Sequence, residues 1–168
     1  MQELFFFHGL NGSPQGIKSQ YLRSLYPEIL IPLFSPDLEE RLGLAKSLLR
    51  RPAVLIGSSL GGVTALQLAD IRPNLVKGLL LLAPAVGLKE PNLITEAEAQ
   101  LLKGLRLPLV PCIIVLAKRD LIVSPEAIRA LAERAEGPVM ITEADDDHGL
   151  NQSLPLIGSL LEKLLKEL

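Results

Sequence analysis

Short apolar runs alternate with longer amphipathic segments along the whole chain. The apolar runs cover residues 4–7, 29–33, 53–56, 76–82, 111–116 and 139–142. Most of them are apolar at successive positions, which is typical of strands buried on both faces of a parallel sheet. The pattern therefore predicts a mostly parallel sheet of about six strands.

The amphipathic segments predict helices on both faces of this sheet. Ser13-Pro14 and Ser124-Pro125 each resemble a helix start, with an N-cap residue followed by a proline in the first turn. Asp37 and Glu40 resemble a capping box, and residues 157–168 place leucines on one side and charges on the other. Because strands and helices alternate throughout, residues 1–168 are predicted to form a single α/β domain.

The least regular part of the chain is an insertion at about residues 87–107. It contains a loop and a possible helix that begins at Thr95 and Glu98 and ends near Gly104. Ligands bind near the carboxyl ends of the strands in such a fold, and the insertion is expected there. It is either a small cap over a site or a crossover helix.

The composition is that of a globular protein and disfavours several classes of function. Apolar residues make up 48% of the 168 residues and charged residues 21%, with a net charge of −2 and scattered basic residues. This does not favour nucleic-acid binding. The apolar runs are too short to span a membrane, and the first residues lack the basic leader of a signal peptide. We therefore expect a soluble, cytoplasmic protein with no membrane partner.

Cysteine and histidine are too few for a disulfide framework or a structural zinc cluster. Cys112 is the only cysteine and lies in an apolar run, where it is expected to be an ordinary buried thiol. The chain has two histidines, His8 and His148. We expect no metal and no cofactor.

The sharpest chemical motif is Gly57-Ser58-Ser59-Leu60-Gly61, which matches G-x-S-x-G between a predicted strand and a predicted helix. At such a turn the central serine has a strained backbone, and its neighbours two positions away come close together. Gly57 and Gly61 leave the space for this approach. Ser59 also lies at a helix N-terminus, which favours negative charge. A phosphate-binding loop is the alternative, but the P-loop lysine and the G-x-G-x-x-G pattern are both absent.

A serine hydroxyl becomes a good nucleophile only when a base takes its proton and an acid orients that base. Proteins with this turn have the order serine, acid, histidine along the chain, which selects His148 over His8. Asp120 follows the fifth apolar run and lies between Ser59 and His148. The acidic triplet at 145–147 is the alternative source of the acid, and otherwise a solvated, mutually repelling loop. Adjacent side chains on one short loop seldom point at the same imidazole nitrogen, which favours Asp120.

An acyl-transfer site also needs backbone N–H groups that bind the developing oxyanion. Leu60, directly after the nucleophile, is one expected donor. Leu10, in the loop after the first predicted strand, is the other. Gly9 gives this loop its turn, and His8 is expected to orient the loop through hydrogen bonds rather than to act in catalysis.

Together these motifs resemble the α/β-hydrolase superfamily and, more narrowly, the small YqiA-like bacterial esterases. The similar segments are Phe-His-Gly-Leu-Asn-Gly-Ser-Pro at 7–14, Gly-Ser-Ser-Leu-Gly-Gly at 57–62, here called the elbow, and Leu-Ala-Pro-Ala-Val at 82–86. The positions of Asp120 and His148 are also similar. The resemblance implies a reduced α/β-hydrolase fold without the leading antiparallel strands of larger members. It also implies a serine triad that cleaves small acyl esters without metal or cofactor. The chain departs from the family in a shorter 87–107 insertion and in the acidic triplet.

The predicted activity is therefore a carboxylesterase-like reaction that proceeds through an acyl-enzyme. The small insertion leads us to expect short acyl groups and an open site. A thioesterase or an acyltransferase would use the same triad, and a catalytically idle binding protein would keep the fold without the chemistry. A small-molecule ester is the only partner that the sequence implies, and the oligomeric state is left open.

Overall fold

The computed structural model describes residues 2–168 and contains one five-stranded parallel sheet with strand order β1-β2-β3-β4-β5. The strands are β1 (Glu3–Phe7), β2 (Ala53–Ser58), β3 (Val76–Leu82), β4 (Cys112–Ala117) and β5 (Val139–Ala144). The helices are α1 (Ile17–Leu25), α2 (Leu38–Leu48), α3 (Leu60–Ile71), α4 (Glu96–Gly104), α5 (Pro125–Glu133) and α6 (Leu154–Lys166). A short 3-10 helix, Pro91–Leu93, precedes α4.

Alternate residues of each strand pack into two separate apolar layers. Phe5 and Phe7 lie in the layer that α2, α3, α4 and α5 cover, whereas Phe6 lies in the layer that α1 and α6 cover. Because both layers are buried, the central strands are apolar at nearly every position, the exceptions being Ser58 at the end of β2 and the partly exposed Lys77 near the start of β3. The prediction of helices on both faces of a parallel sheet is confirmed.

The second apolar run, residues 29–33, is not a strand, and the sheet has five strands rather than about six. Only Leu30 pairs with β1: its N–H donates to Leu4 O at 2.9 Å, and its carbonyl accepts from Phe6 N at 2.9 Å. The next donor in a parallel ladder would be residue 32, which is Pro32 and has no N–H. The proline therefore ends the pairing after one residue.

Two predicted helix starts differ from the structure. Ser13-Pro14 does not begin α1, which starts at Ile17 with Gly16 as its N-cap. Asp37 caps α2 by accepting from Glu40 N, but the Glu40 carboxylate accepts from the Ser35 hydroxyl instead of returning to Asp37. The complete capping box is at Thr95 and Glu98, at the start of α4. Among residues 2–168, no helix has the length and apolar character needed to cross a membrane.

Candidate active site

Because all five strands are parallel, the loops that follow them lie at one edge of the sheet. His8 follows β1, Ser59 follows β2, Asp120 follows β4 and His148 follows β5. The topology therefore places four residues from distant parts of the sequence at the same edge.

Ser59 lies at a tight turn between β2 and α3, and its backbone is strained. Its φ of 53° and ψ of −115° are rare for a residue with a side chain and cost about 1–3 kcal/mol. Backbone hydrogen bonds hold this conformation on both sides: Ser59 N donates to Leu82 O at 2.9 Å, and Ala85 N donates to Ser59 O at 3.0 Å. The serine is therefore fixed by the β3 strand and by the loop after it.

Two glycines make this turn possible, as the motif predicts. A Cβ atom at Gly57 would lie 2.6 Å from Gly61 O, and one at Gly61 would overlap the Phe7 carbonyl oxygen. Neither contact can be relieved by a side-chain rotation, because the atoms that would clash belong to the backbone. Glycine is required at both positions for β2, α3 and the end of β1 to meet.

The Ser59, His148 and Asp120 side chains form a continuous hydrogen-bonded chain. His148 Nε2 lies 2.9 Å from Ser59 Oγ, and His148 Nδ1 lies 2.8 Å from Asp120 Oδ2. Asp120 Oδ1 accepts from the N–H groups of Ile122 and Val123 at 2.9 and 2.8 Å. Because the Asp120 carboxylate accepts hydrogen bonds on both oxygens, His148 Nδ1 carries a proton and His148 Nε2 is the nitrogen that faces the serine.

Asp120 is held in its ionised form. Its side chain is only 2% exposed, and burial alone would raise the pKa of the carboxyl group. Hydrogen bonds from His148, Val123 and Ile122 outweigh the burial and keep the pKa below its usual value. An ionised carboxylate at Nδ1 fixes the imidazole ring and stabilises it when it takes a proton.

The acidic triplet is solvated only in part, because Asp145 and Asp147 are exposed whereas Asp146 is buried. Asp145 pairs with Arg119, whereas Asp146 turns inward and accepts from Gln152 N and Ser153 Oγ at 2.9 and 2.8 Å. Asp147 accepts from Gly149 N at 3.0 Å. Each carboxylate therefore has its own donors, and the bonds to Asp146 and Asp147 hold the loop that carries His148.

Lys18 on α1 also holds this loop, although no motif in the sequence indicates it. Its ammonium group donates to Gly149 O at 2.5 Å, one residue after His148. Burial lowers the pKa of Lys18, while the nearby Asp146 and Asp147 act in the opposite direction. The contact joins α1 to the loop after β5, a pairing that sequence spacing does not reveal.

His8 is buried, and the backbone uses both of its ring nitrogens. Nε2 accepts from Phe34 N at 3.0 Å, so Nδ1 carries the proton and donates to Gly9 O at 2.7 Å. The pKa of His8 is lowered, mainly by burial and also by the neighbouring Arg41 cation. The hydrogen bond to Gly9 acts in the opposite direction. His8 thus orients its loop and has no free nitrogen for a substrate.

The two predicted oxyanion donors each follow a residue at the turn or next to it, since Leu60 follows Ser59 and Leu10 follows Gly9. Leu60 begins α3, and Gly9 is so close that a Cβ atom on it would lie 3.2 Å from Ser59 Cβ. Within residues 2–168, the N–H groups of Leu60 and Leu10 donate to no other group. Both are available to a negatively charged oxygen.

A cavity of about 1210 Å³ opens at this edge of the sheet and contains Ser59 and His148. Its walls are mainly apolar and include Leu38 and Leu42 of α2 and Ala97, Leu101 and Leu102 of α4. The 87–107 insertion therefore lies both in the crossover from β3 to β4 and in the wall of the cavity. Among the described residues, no cluster of three or more His, Cys, Asp or Glu side chains is arranged to hold a metal ion.

Sequence and structure comparisons define the class of fold. The family model described as serine aminopeptidase, S33, matches residues 37–109, which include Ser59 but neither Asp120 nor His148. A comparison with curated proteins finds no significant match.

The solved structures that this chain resembles are similar over nearly its whole length. Alpha/beta hydrolase domain-containing protein 10 from mouse is 18% identical with a TM-score of 0.81, covering 98% of this chain and 90% of its own. A structure from Xanthomonas campestris pv. campestris, assigned to the alpha/beta hydrolase superfamily, is 22% identical with a TM-score of 0.79 and full coverage of both chains. The monoacylglycerol lipase of Paleococcus ferrophilus is 15% identical with a TM-score of 0.71, covering 97% and 93%.

The chain therefore has the α/β-hydrolase fold in a reduced, five-stranded form. None of these matches tests the narrower resemblance to YqiA-like esterases, which stays a prediction.

Proposed function

We propose that the protein is a serine esterase in which Ser59 is the nucleophile, His148 the base and Asp120 the acid that orients it. The observation that carries the proposal is the chain of hydrogen bonds at 2.9 and 2.8 Å from Ser59 through His148 to Asp120. The strained turn supports it further, because that conformation is costly and presents the hydroxyl to the cavity.

The reaction is a two-step acyl transfer. Ser59 Oγ attacks the ester carbonyl as its proton passes to His148 Nε2, and the carbonyl oxygen becomes an oxyanion held by the Leu10 and Leu60 N–H groups. The tetrahedral intermediate collapses, the carbon–oxygen bond to the alcohol breaks, and His148 returns the proton to the departing alkoxide. Water then attacks the acyl-enzyme by the same route and releases the acid.

The walls of the cavity support an apolar substrate. At about 1210 Å³ the cavity exceeds the common range for drug-sized ligands, roughly 300–1,000 Å³, and α2 and α4 supply apolar side chains. The sequence favours short acyl groups, whereas these dimensions favour acyl groups longer than acetate. An ester series from acetate to decanoate distinguishes the two expectations, and we expect kcat/KM to peak above butyrate.

A peptidase is the second candidate, because the family model that matches residues 37–109 is described as a serine aminopeptidase. Its triad would be identical, as would that of a thioesterase or an acyltransferase. Aminoacyl p-nitroanilides and acyl thioesters assayed beside the ester series therefore separate these activities. Higher kcat/KM on an anilide than on every ester would replace the esterase proposal.

Labelling with a fluorophosphonate probe tests the activated serine directly. We expect the parent to be labelled and Ser59→Ala to remain unlabelled. Ser58→Ala is the matched control, because it removes the adjacent, buried hydroxyl and should leave labelling intact. An unlabelled parent would favour a catalytically idle binding protein.

A further inference from the structure

Arg41 on α2 is a buried cation without an acidic partner. The residue is 1% exposed, and its guanidinium carbon lies 5.2 Å from the centre of the Phe34 ring. None of the ion pairs among residues 2–168 includes Arg41. Arginine is seldom fully buried unless a carboxylate pairs with it, since removing its charge from water is costly.

The guanidinium group instead binds three backbone carbonyls. Nε donates to Ser35 O at 2.7 Å, Nη1 to His8 O at 2.8 Å and Nη2 to Gly9 O at 3.1 Å. Two of these carbonyls belong to the loop that carries the Leu10 N–H. The cation is thus directed at the loop beside the nucleophile, and the neutral Phe34 ring packs against it.

The bonds to Gly9 O set the direction of the Leu10 N–H. Gly9 O and Leu10 N belong to one peptide group, which is trans, so its C=O and N–H point in opposite directions. The carbonyl accepts from Arg41, from His8 Nδ1 at 2.7 Å and from Gly12 N at 3.1 Å. With the oxygen held by three donors on one side, the Leu10 N–H points away from them.

We propose that Arg41 is a positioning residue of the oxyanion site, which holds the Gly9–Leu10 peptide with its N–H toward the oxygen of the reacting carbonyl. This inference rests on the proposed function. The positive charge at the carbonyl end also polarises the peptide and makes its N–H a stronger donor. A lysine cannot replace the three-pronged arrangement, because an ammonium group lacks the planar fork.

Steady-state kinetics of Arg41→Met and Arg41→Lys on a neutral p-nitrophenyl ester test this role. Loss of one oxyanion donor lowers kcat by about 10²–10³-fold, so we expect roughly 10²-fold for Arg41→Met, with KM within about threefold. Arg41→Lys should lie between Arg41→Met and the parent. Arg50→Met is the matched control, since Arg50 is exposed and its side chain, within residues 2–168, bonds only to Ser47 O; it should keep the parental kcat.

A double-variant cycle separates positioning from a general effect on packing. Leu10→Pro removes the N–H itself. If Arg41 acts through that N–H, the double variant should have a kcat within about threefold of that of Leu10→Pro alone. If the two losses multiply instead, the proposal is wrong. Parental kcat in a folded Arg41→Met variant would also overturn it, and if that variant does not fold, parental kcat in Arg41→Lys decides in the same way. The proposed function fails on a different result, a parent that neither hydrolyses esters nor reacts with the fluorophosphonate.

Discussion

Replacing Gly61 by alanine should destabilise the protein, whereas the same replacement at Gly43 should stabilise it. A Cβ atom at Gly61 would overlap the Phe7 carbonyl oxygen and lie 2.6 Å from Phe7 C and 2.8 Å from His8 O. A Cβ atom at Gly43, on the exposed side of α2, would meet nothing within 4 Å. The two substitutions add the same methyl group, so the surroundings alone decide the sign.

The magnitudes follow from what each methyl group meets. Overpacking costs about 1–3 kcal/mol, and Gly61→Ala should reach the upper end, because the clashing atoms are backbone at the end of β1, where Phe7 pairs with Gly57 in the sheet. Gly43→Ala should gain about 0.5–1 kcal/mol, the usual difference between the two residues inside a helix. A difference of about 4 kcal/mol separates the two midpoints of thermal unfolding by roughly 8–16 °C in a chain of this size.

Urea and thermal unfolding, followed by circular dichroism, measure both variants against the parent. We also expect Gly61→Ala to lose ester hydrolysis, because displacement of Phe7 and His8 moves the Leu10 N–H. A Gly61→Ala variant whose free energy of unfolding lies within about 0.5 kcal/mol of the parent would refute the close approach of α3 to β1. A destabilised Gly43→Ala would refute the description of that side of α2 as open.

Three further predictions concern single groups. The pKa of Asp120 is lowered in the folded protein, so its ionised form stabilises the fold above the unfolded pKa of about 4, and this contribution disappears as the pH falls through the folded value. Asp120→Asn should therefore make the free energy of unfolding, measured in urea, depend less steeply on pH in the acid range. The control Asp70→Asn, at an exposed position, should not have this effect. Burial raises the pKa of Cys112 to about 12, so Ellman's reagent should modify the thiol only in denaturant; rapid modification of the native protein would contradict its burial. Thr95→Ala removes the complete capping box of α4 and should cost about 1 kcal/mol, or roughly 2–4 °C in thermal midpoint, whereas an unchanged midpoint would mean that α4 is held by other contacts.

The strands and the elbow could be predicted from the sequence because local pattern determines them. A strand buried on both faces is apolar at successive positions. β4 shows that pattern throughout, and β2 and β3 show it apart from Ser58 and Lys77. Residues 29–33 show the same pattern, but their pairing depends on which N–H groups face β1, and Pro32 lacks the one required. Apolar character alone does not report this.

The sequence does not predict the role of Arg41, because its contacts join segments that are far apart in the chain. On α2, Leu38 and Leu42 are only half-buried, whereas the fully buried positions are Arg41, Ala45 and Leu49. The spacing of four residues between positions 41, 45 and 49 can be seen in the sequence, and an arginine in this series is the one indication that Arg41 is buried. Its acceptors, His8 O and Gly9 O, could not be inferred, because they depend on where the loop after β1 meets α2 in the folded chain.

The candidate site combines one element that the sequence determines locally with others that only the fold can bring to it. The strained turn at Ser59 needs glycines within two residues, which is why a short motif predicts it. Yet the hydrogen bonds that hold the turn reach Leu82 O and Ala85 N, beyond the end of α3. Because the strain of about 1–3 kcal/mol persists only where surrounding contacts enforce it, changes in the 82–86 segment should relax Ser59 without altering the motif. The strained backbone of Ser59 therefore needs the glycines of the pentapeptide, and it also needs the packing of β3 and the loop that follows it.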